Sequence, residues 1–332
     1  PIEEFGAYPA GLQTLGALVA TIADMRATDG VFVVACFSHL LVSLAVYAFV
    51  RRKVSVLAAL GATALVTLGS RDPQFHFVWG GNPTVLSLAL VTFGLTQLER
   101  LEHDGWKRAL LPGALVLAAA PMTHSVLPFA LVYALPPVLA YRLVHLHTPG
   151  SKLRLVGRGT LLAALIGLLM IPYLLHLGLV VSPQEKQWIL DWQRLPAHVP
   201  GGPWWAFPAL VPWHLVKRLG AFFVTWLLAA LVVRRWLKGS CVPVDEELVF
   251  ASAVLLLVLN AKLWVLPGSF ALYPDRVTLL LVPIFARVVG SSLDGALIRW
   301  GTRRLVRLVG AGALLATLAA GYGIWYIRGI GE

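Results

Sequence analysis

The side chains best suited to chemistry in this 332-residue chain lie in or near four short motifs, at residues 5–11, 71–84, 121–125 and 273–276. A cation can stabilise a leaving phosphate, and a carboxylate or histidine can take a proton from an acceptor or hold a divalent metal. Arg276 and Lys262 are the candidates for the first role. The candidates for the second role are Glu3, Glu4, Asp72 and His124, with Asp72 and Glu4 preferred.

Each motif taken alone also has a purely structural interpretation. Gly-Gly-Asn-Pro at 80–83 is typical of a turn followed by a helix start. His124 fits a hydrogen-bonded histidine at a membrane interface, and Asp275 fits an acid near the positive end of a helix dipole. A functional interpretation is favoured because all four motifs come to one side of the membrane in the predicted topology.

The composition excludes a soluble globular domain. Mean hydropathy is +0.78, 58% of residues are hydrophobic and 13% are charged, whereas a soluble domain is normally about 25% charged. The net charge of +11 would suggest nucleic acid in a soluble protein. Here most of the surplus is predicted at helix ends on one side of a bilayer, near anionic headgroups. Membrane lipids are therefore the expected partners, and nucleic acid is not.

Basic residues predict the topology. Seventeen of the 27 Lys and Arg residues fall into five clusters, and positive charge between spans is retained on the cytoplasmic side. The clusters lie within residues 51–53, 100–108, 142–158, 234–238 and 299–307. All other loops are then expected on the outer face.

The apolar segments between the clusters predict an all-α, polytopic transmembrane helical bundle with about ten spanning helices, each near the roughly 20 residues that a span needs. Because residues 51–53 are predicted inside and one span precedes them, residues 26–30 are predicted outside. Residues 10–25 are then predicted to form a re-entrant or interfacial helix. The spans are predicted at 31–50, 54–69, 83–98, 109–122, 125–145, 159–181, 219–237, 248–265, 276–297 and 305–327.

The chain is expected to form one transmembrane domain over 1–332. Residues 1–30 form an outer segment, 31–181 six helices and 219–327 four helices. The long outer loop 182–218 contains five tryptophans. It is interpreted either as an interfacial aromatic belt or as a loop that shapes a lipid-facing cavity.

Charged and polar groups inside the spans have two interpretations. Arg287 and Asp294 lie seven residues apart, on roughly one helix face. They are expected to pair with each other or with a neighbouring helix, and the alternative is a polar path for transport. His39 and His176 are expected to be hydrogen-bonded within the bundle.

The order of the motifs resembles the multispanning glycosyltransferases of the GT-C fold, in particular their bacterial and archaeal members. The resemblance rests on Tyr-Pro-x-Gly at 8–11, Trp-Gly-Gly-x-Pro at 79–83, Thr-His at 123–124 and Tyr-Pro-Asp-Arg at 273–276. It extends from about residue 5 to residue 300. The chain departs from the family pattern at Ala10, at Asn82-Pro83-Thr84 and at Ser125.

The resemblance implies a polyprenyl-phosphate-linked sugar as donor, used at the outer face of a prokaryotic cytoplasmic membrane. It implies that Arg276 contacts the lipid phosphate, within a Tyr273-to-Arg276 motif, while Lys262 adds a second positive charge. The family also uses an acidic residue in the first outer loop as base or ligand of a divalent metal such as Mg or Mn. That part of the loop is expected before Pro1, so activity depends on a segment that would supply the acid.

Two other functions stay open from the sequence. A non-catalytic scaffold or accessory subunit, bound to other membrane subunits, is favoured by the departures from the family motifs. A transporter or lipid flippase would use charges near the bilayer midplane, for which the candidates are Lys262, Arg287 and Asp294.

Overall fold

The computed structural model describes residues 11–71, 81–101, 105–146, 148–180, 245–263 and 274–300, together with 219–220, 224, 227–228 and 230–231. Every regular element in these ranges is helical, as the all-α prediction requires. The elements are α1 Gly11–Ala23, α2 Ala27–Arg51, α3 Val56–Gly69, α4 Asn82–Arg100, α5 Trp106–Thr123, α6 Val126–His145, α7 Pro149–Leu175, a π-helical turn His176–Val180, α8 Asp245–Leu263, α9 Pro274–Val277, a 3-10 turn Thr278–Leu280 and α10 Leu281–Trp300.

Four of the described helical segments are long and apolar enough to cross a membrane. Their length and composition indicate a membrane protein. The predicted total of about ten spans stays a prediction, because 219–237 is only partly described and 305–327 lies outside the described residues. The four segments are Ala27–Arg51, Val126–His145, Pro149–Leu175 and Thr278–Arg299.

The start of α7 differs from the prediction. The sequence predicts this span from residue 159, with the basic residues before it in a loop, but α7 begins at Pro149. Proline suits the first turn of a helix, and Lys and Arg are good helix formers with apolar stems. The basic residues Lys152, Arg154 and Arg158 therefore continue the helix beyond its apolar part.

Helix α1 crosses α2 at very short range. A Cβ atom on Gly16 would lie 2.7 Å from the Cα of Val31, and one on Gly30 would meet the carbonyl oxygen of Gly16. Small residues at such a crossing let two backbones approach closely, as is common in membrane proteins. With 13 residues, α1 is about 20 Å long, which is short of the hydrocarbon thickness of a bilayer. This length fits the predicted re-entrant or interfacial helix, which stays a prediction.

The packing around α10 and around α7 differs strongly. Over an apolar stretch of 18 residues in each span, 78% of the residues are buried in the segment at 278–299, against 11% in α7. Helix α10 packs against α3, α2 and α8, and its buried side chains belong to the main apolar core. Helix α7 packs chiefly against α5 and leaves most of its surface outside that core.

Candidate functional site

The two ends of the bundle are distinguished by their charges. At one end, which we call the basic end, the α2–α3 turn contains the cluster Arg51-Arg52-Lys53. The backbone N–H of Ser55 there donates to Asp294 Oδ1 at 3.1 Å, which fixes the later part of α10 at this end. Arg276 precedes α10 and therefore lies at the opposite end, with the α5–α6 turn. The positive-inside rule predicts that this opposite end faces outward.

His124 sits in the α5–α6 turn and is 3% exposed. Its extended backbone ends α5, and its N–H donates to the carbonyl of Ala120 at 3.0 Å. The hydroxyl of Ser87, in the second turn of α4, donates to the carbonyl of His124 at 3.0 Å. The end of α5 and the start of α4 therefore hold the backbone of His124 in place.

The structure brings Arg276 to this histidine across 152 positions of sequence, with Nη1 2.5 Å from His124 Nε2. A guanidinium can only donate, so the imidazole must accept and is neutral in this contact. The N–H of Val126 approaches the other ring nitrogen, Nδ1, at 3.4 Å. The ring has one lone pair to offer, and the shorter, charge-assisted contact takes it. His124 thus orients the Arg276 guanidinium without carrying a charge.

Parts of the other two motifs reach the same end. A Cβ on Gly11 would lie 2.7 Å from the carbonyl oxygen of Met122 and 2.8 Å from Cγ2 of Thr123, so α1 begins directly against the Thr-His turn. Asn82, the first residue of α4, has its Oδ1 3.4 Å from Nε2 of His39. The described residues of all four motifs are therefore gathered at the end of the bundle opposite the basic clusters.

The remaining candidate residues are not described to the same extent. Glu4, Asp72 and Tyr273 lie outside the described residues, and Lys262 is described only as part of the last turn of α8. Within the described ranges, no group of three or more His, Cys, Asp or Glu side chains is arranged to hold a metal ion. The structure therefore brings together His124 and Arg276 from the predicted set, and the roles of both stay predictions.

A second charged constellation, at the basic end, centres on Arg287. This side chain is 2% exposed and forms a bidentate ion pair with Glu99, in which Nη2 is 2.9 Å from Oε2. Its Nη2 also donates to the carbonyl of Phe49 at 2.6 Å, and its Cζ lies 3.3 Å from the centre of the Phe49 ring. Of the two expected partners for Arg287, the structure selects a neighbouring helix and not Asp294.

Further ion pairs extend this constellation across α2–α3, α4, α6 and α8. Lys53 Nζ is 3.0 Å from Glu247 Oε1, Arg287 Nη1 is 3.6 Å from the same oxygen, and Arg142 pairs with Glu246. We call these six residues the charge network. Its members are Lys53, Arg142 and Arg287 with Glu99, Glu246 and Glu247.

Sequence reasoning missed five of these six residues. The signal was present: Glu99 ends an apolar helix, and Glu246 and Glu247 open another. A carboxylate at the edge of a span needs a cationic partner once it is buried. The sequence does not say which of several basic residues at that end becomes the partner.

No protein-family model, curated protein or solved structure matches this chain.

Proposed function

We propose that this protein is a membrane glycosyltransferase of the GT-C type, with about ten spans, which transfers a sugar from a polyprenyl-phosphate donor at the outer face of the membrane. The observation that carries the proposal is the contact between His124 and Arg276, next to the start of α1 at Gly11 and at the end of the bundle opposite the basic end. The order of the motifs, which resembles that family, supports the same function.

In the proposed reaction, an acceptor hydroxyl attacks the anomeric carbon of the donor sugar. The bond between that carbon and the phosphate oxygen breaks, its electron pair stays on the oxygen, and polyprenyl phosphate leaves. Arg276 stabilises the added negative charge on the phosphate through its fixed fork of N–H donors. The hydroxyl proton passes to a carboxylate, for which Asp72 and Glu4 are the predicted candidates, with or without a divalent metal.

His124 has a positioning role in this scheme. By accepting from Nη1 it sets the direction of the guanidinium before the donor arrives, and such preorganisation lowers the cost of binding. In this scheme the guanidinium held by His124 donates to a phosphate oxygen of the donor.

The test compares Arg276→Ala with Arg26→Ala in the purified full chain, reconstituted in liposomes. Arg26 lies in the α1–α2 turn, is highly exposed and pairs with Asp29, so it is a matched arginine outside the site. We expect Arg276→Ala to lower the affinity for polyprenyl phosphate at least about tenfold and to abolish sugar transfer. Arg26→Ala should leave both unchanged.

Unchanged binding in Arg276→Ala would overturn the assignment of the phosphate site. Binding that depends on Arg276 without transfer of any sugar from a panel of polyprenyl-phosphate sugars would favour the non-catalytic scaffold. Movement of a labelled lipid across the liposome bilayer without transfer would favour the flippase.

A further inference from the structure

A cavity of about 450 Å³ lies near the basic end, enclosed mainly by side chains from α4, α5, α6, α7, α8 and α10. Each of these helices contributes leucine, isoleucine, valine or phenylalanine side chains to the wall, so most of the wall is apolar. The cavity lies at the end of the bundle away from His124 and Arg276 and is independent of the proposed function. No part of the sugar-transfer scheme uses it.

Charged side chains form one end of the wall, but they are already occupied. All members of the charge network except Lys53 line this end. They are held in ion pairs with one another or with Lys53. The side-chain atoms among them that lack a hydrogen bond are enclosed by the protein and are closed to contact from the cavity. The described wall therefore favours a ligand that is itself apolar.

The volume of the cavity fits a hydrocarbon chain. A cavity of about 150 Å³ lined by Leu, Ile and Phe stays dry and binds benzene, so the present cavity has room for roughly three times as much, or about 18 carbon atoms. An acyl chain of a phospholipid has this size. An empty cavity is destabilising, because the side chains around it lose van der Waals contacts. We therefore expect the cavity to be filled by hydrocarbon and not by water.

A gap between α6 and α7 opens the cavity sideways. The connection between these two helices comprises only residues 146–148, yet α6 packs chiefly against α8 and α7 against α5, and the two scarcely touch each other. Leu139 of α6 and Val156 of α7 line the cavity while being 42% and 50% exposed. The gap therefore opens onto a surface that faces lipid in a membrane protein.

Small residues on α7 create space beside this gap. Gly159 and Ala163, about one helical turn apart, both line the cavity, and a Cβ on Gly159 would meet nothing within 4 Å. A larger side chain at Gly159 could therefore enter the cavity. Gly157 has the same open surroundings but is not part of the lining, since two residues turn a helix by about 200°.

We propose that this cavity takes up one acyl chain of a phospholipid from the leaflet at the basic end. The chain enters between α6 and α7 and lies against Leu117 and Leu162, while the head remains at the membrane surface. Because the charged groups on the wall are already paired, the site recognises the hydrocarbon and not the head. The bound chain fills the space that two consecutive helices leave between them.

The test is photo-crosslinking of the full chain in liposomes with phosphatidylcholine that carries a diazirine near the end of one acyl chain. Lipid outside the bundle can label exposed side chains such as Leu168, which is 61% exposed. Leu117 and Leu162 line the cavity and are 9% and 3% exposed, so only a chain inside the cavity can label them. We expect mass spectrometry of the labelled peptides to find both buried leucines.

A pair of variants on α7 ties the labelling to this cavity. Gly159→Phe places a ring in the cavity beside the gap and should abolish labelling of Leu117 and Leu162, while labelling of Leu168 remains. Gly157→Phe, the matched substitution outside the lining, should leave the pattern unchanged. Both variants add the same side chain to the same helix where a Cβ has open surroundings, so neither is expected to impair folding.

Labelling confined to exposed side chains in the unaltered protein would overturn the proposal, whatever the variants show. Labelling of Leu117 and Leu162 that survives Gly159→Phe would overturn the proposed entry between α6 and α7. Loss of this labelling on addition of polyprenyl phosphate, in an amount much smaller than that of the phospholipid, would also overturn the proposal, because a polyprenyl chain would then be the occupant.

Discussion

Arg276 and Arg287 lie on one continuous helical stretch, yet their surroundings differ in kind. Arg276 is partly buried and contacts a neutral imidazole at the end of the bundle opposite the basic end. Arg287 is fully buried and is clasped by the carboxylates of Glu99 and Glu247. An imidazole orients a guanidinium without neutralising it, whereas carboxylates do both. In the proposed function the first contact orients a group that binds an anion, whereas the second attaches helices to each other.

In the proposed function, the same difference separates a ligand-binding charge, Arg276, from a structural one, Arg287. Arg287 joins α10 to α4, to α8 and to the end of α2, and its guanidinium also covers the Phe49 ring. Removing it would leave two buried carboxylates, Glu99 and Glu247, to share Lys53, which lies 3.8 Å and 3.0 Å from them. In the proposed function, removing Arg276 instead removes the contact to the donor phosphate.

The largest effect is expected from Arg287→Ala, which tests whether Arg287 is structural. We expect it to lower the free energy of unfolding by about 3–5 kcal/mol, because the buried Glu99 loses its bidentate partner and is left with Lys53 at 3.8 Å. Thermal unfolding in detergent would measure this, with Arg299→Ala, an exposed arginine on the same helix, as the matched control. The double variant Arg287→Met with Glu99→Gln should recover part of the loss. A stable Arg287→Ala protein would show that the network is not structural.

His124→Ala tests whether His124 positions Arg276. We expect it to weaken polyprenyl phosphate binding by up to about tenfold, less than Arg276→Ala, with little change in unfolding temperature. His124→Gln retains a side-chain acceptor for Arg276 and should restore most of the affinity. His145→Ala, in the last turn of α6 at the basic end, serves as control. Failure of the glutamine variant to rescue would contradict a positioning role.

Gly11→Ala tests the end of the bundle that contains His124 and Arg276 by changing the packing of α1 and no charge. The added Cβ would lie 2.7 Å from the carbonyl oxygen of Met122, so α1 must shift away from the Thr-His turn. We expect a few-fold loss of polyprenyl phosphate affinity in equilibrium binding, with the charge network untouched. Gly157→Ala, where a Cβ meets nothing within 4 Å, is the matched substitution and should bind normally.

The smallest expected effect is a pH dependence at the basic end, from Glu246, which precedes the predicted span 248–265. Burial raises the pKa of this carboxyl. The Arg142 guanidinium, together with Lys53 and Arg287, lowers the pKa by more than burial raises it, so the pKa lies below its ordinary value. Its stabilisation is then complete above the ordinary carboxyl pKa and is lost as the pH falls through the lowered one. Unfolding temperatures measured from about pH 6 to pH 3 should fall, and Glu246→Gln should flatten the curve. An equal slope in both proteins would argue against Glu246 as the source.

The apolar helices could be predicted from the sequence because a helix that crosses lipid must be apolar over the length of its span. The bounds of α3 and α6 agree with the apolar segments to within a few residues. The start of α7 could not be set by hydropathy, since basic residues end an apolar stretch without ending a helix. The hydropathy pattern indicates whether a segment lies in lipid or in water, but it does not indicate where the helix begins or ends.

The candidate site was predictable only in part for a related reason. The basic clusters alone place His124 and Arg276 on one side, and the structure brings them within hydrogen-bonding distance. The partner of Arg287 could not be read from sequence, because Asp294 on the same face and Glu99 on another helix are equally compatible with local spacing. Only the packing of α10 against its neighbours decides between them.

The position of the acidic residues along the chain has a consequence for biosynthesis. Glu99 and Glu247 both precede Arg287 in sequence, so the ribosome synthesises both carboxylate partners before it synthesises Arg287. An isolated segment bearing Arg287 would be costly to release into lipid. We therefore expect its exit from the translocon to be late and to require the earlier helices at the lateral gate, which makes the order of synthesis part of how this bundle is assembled.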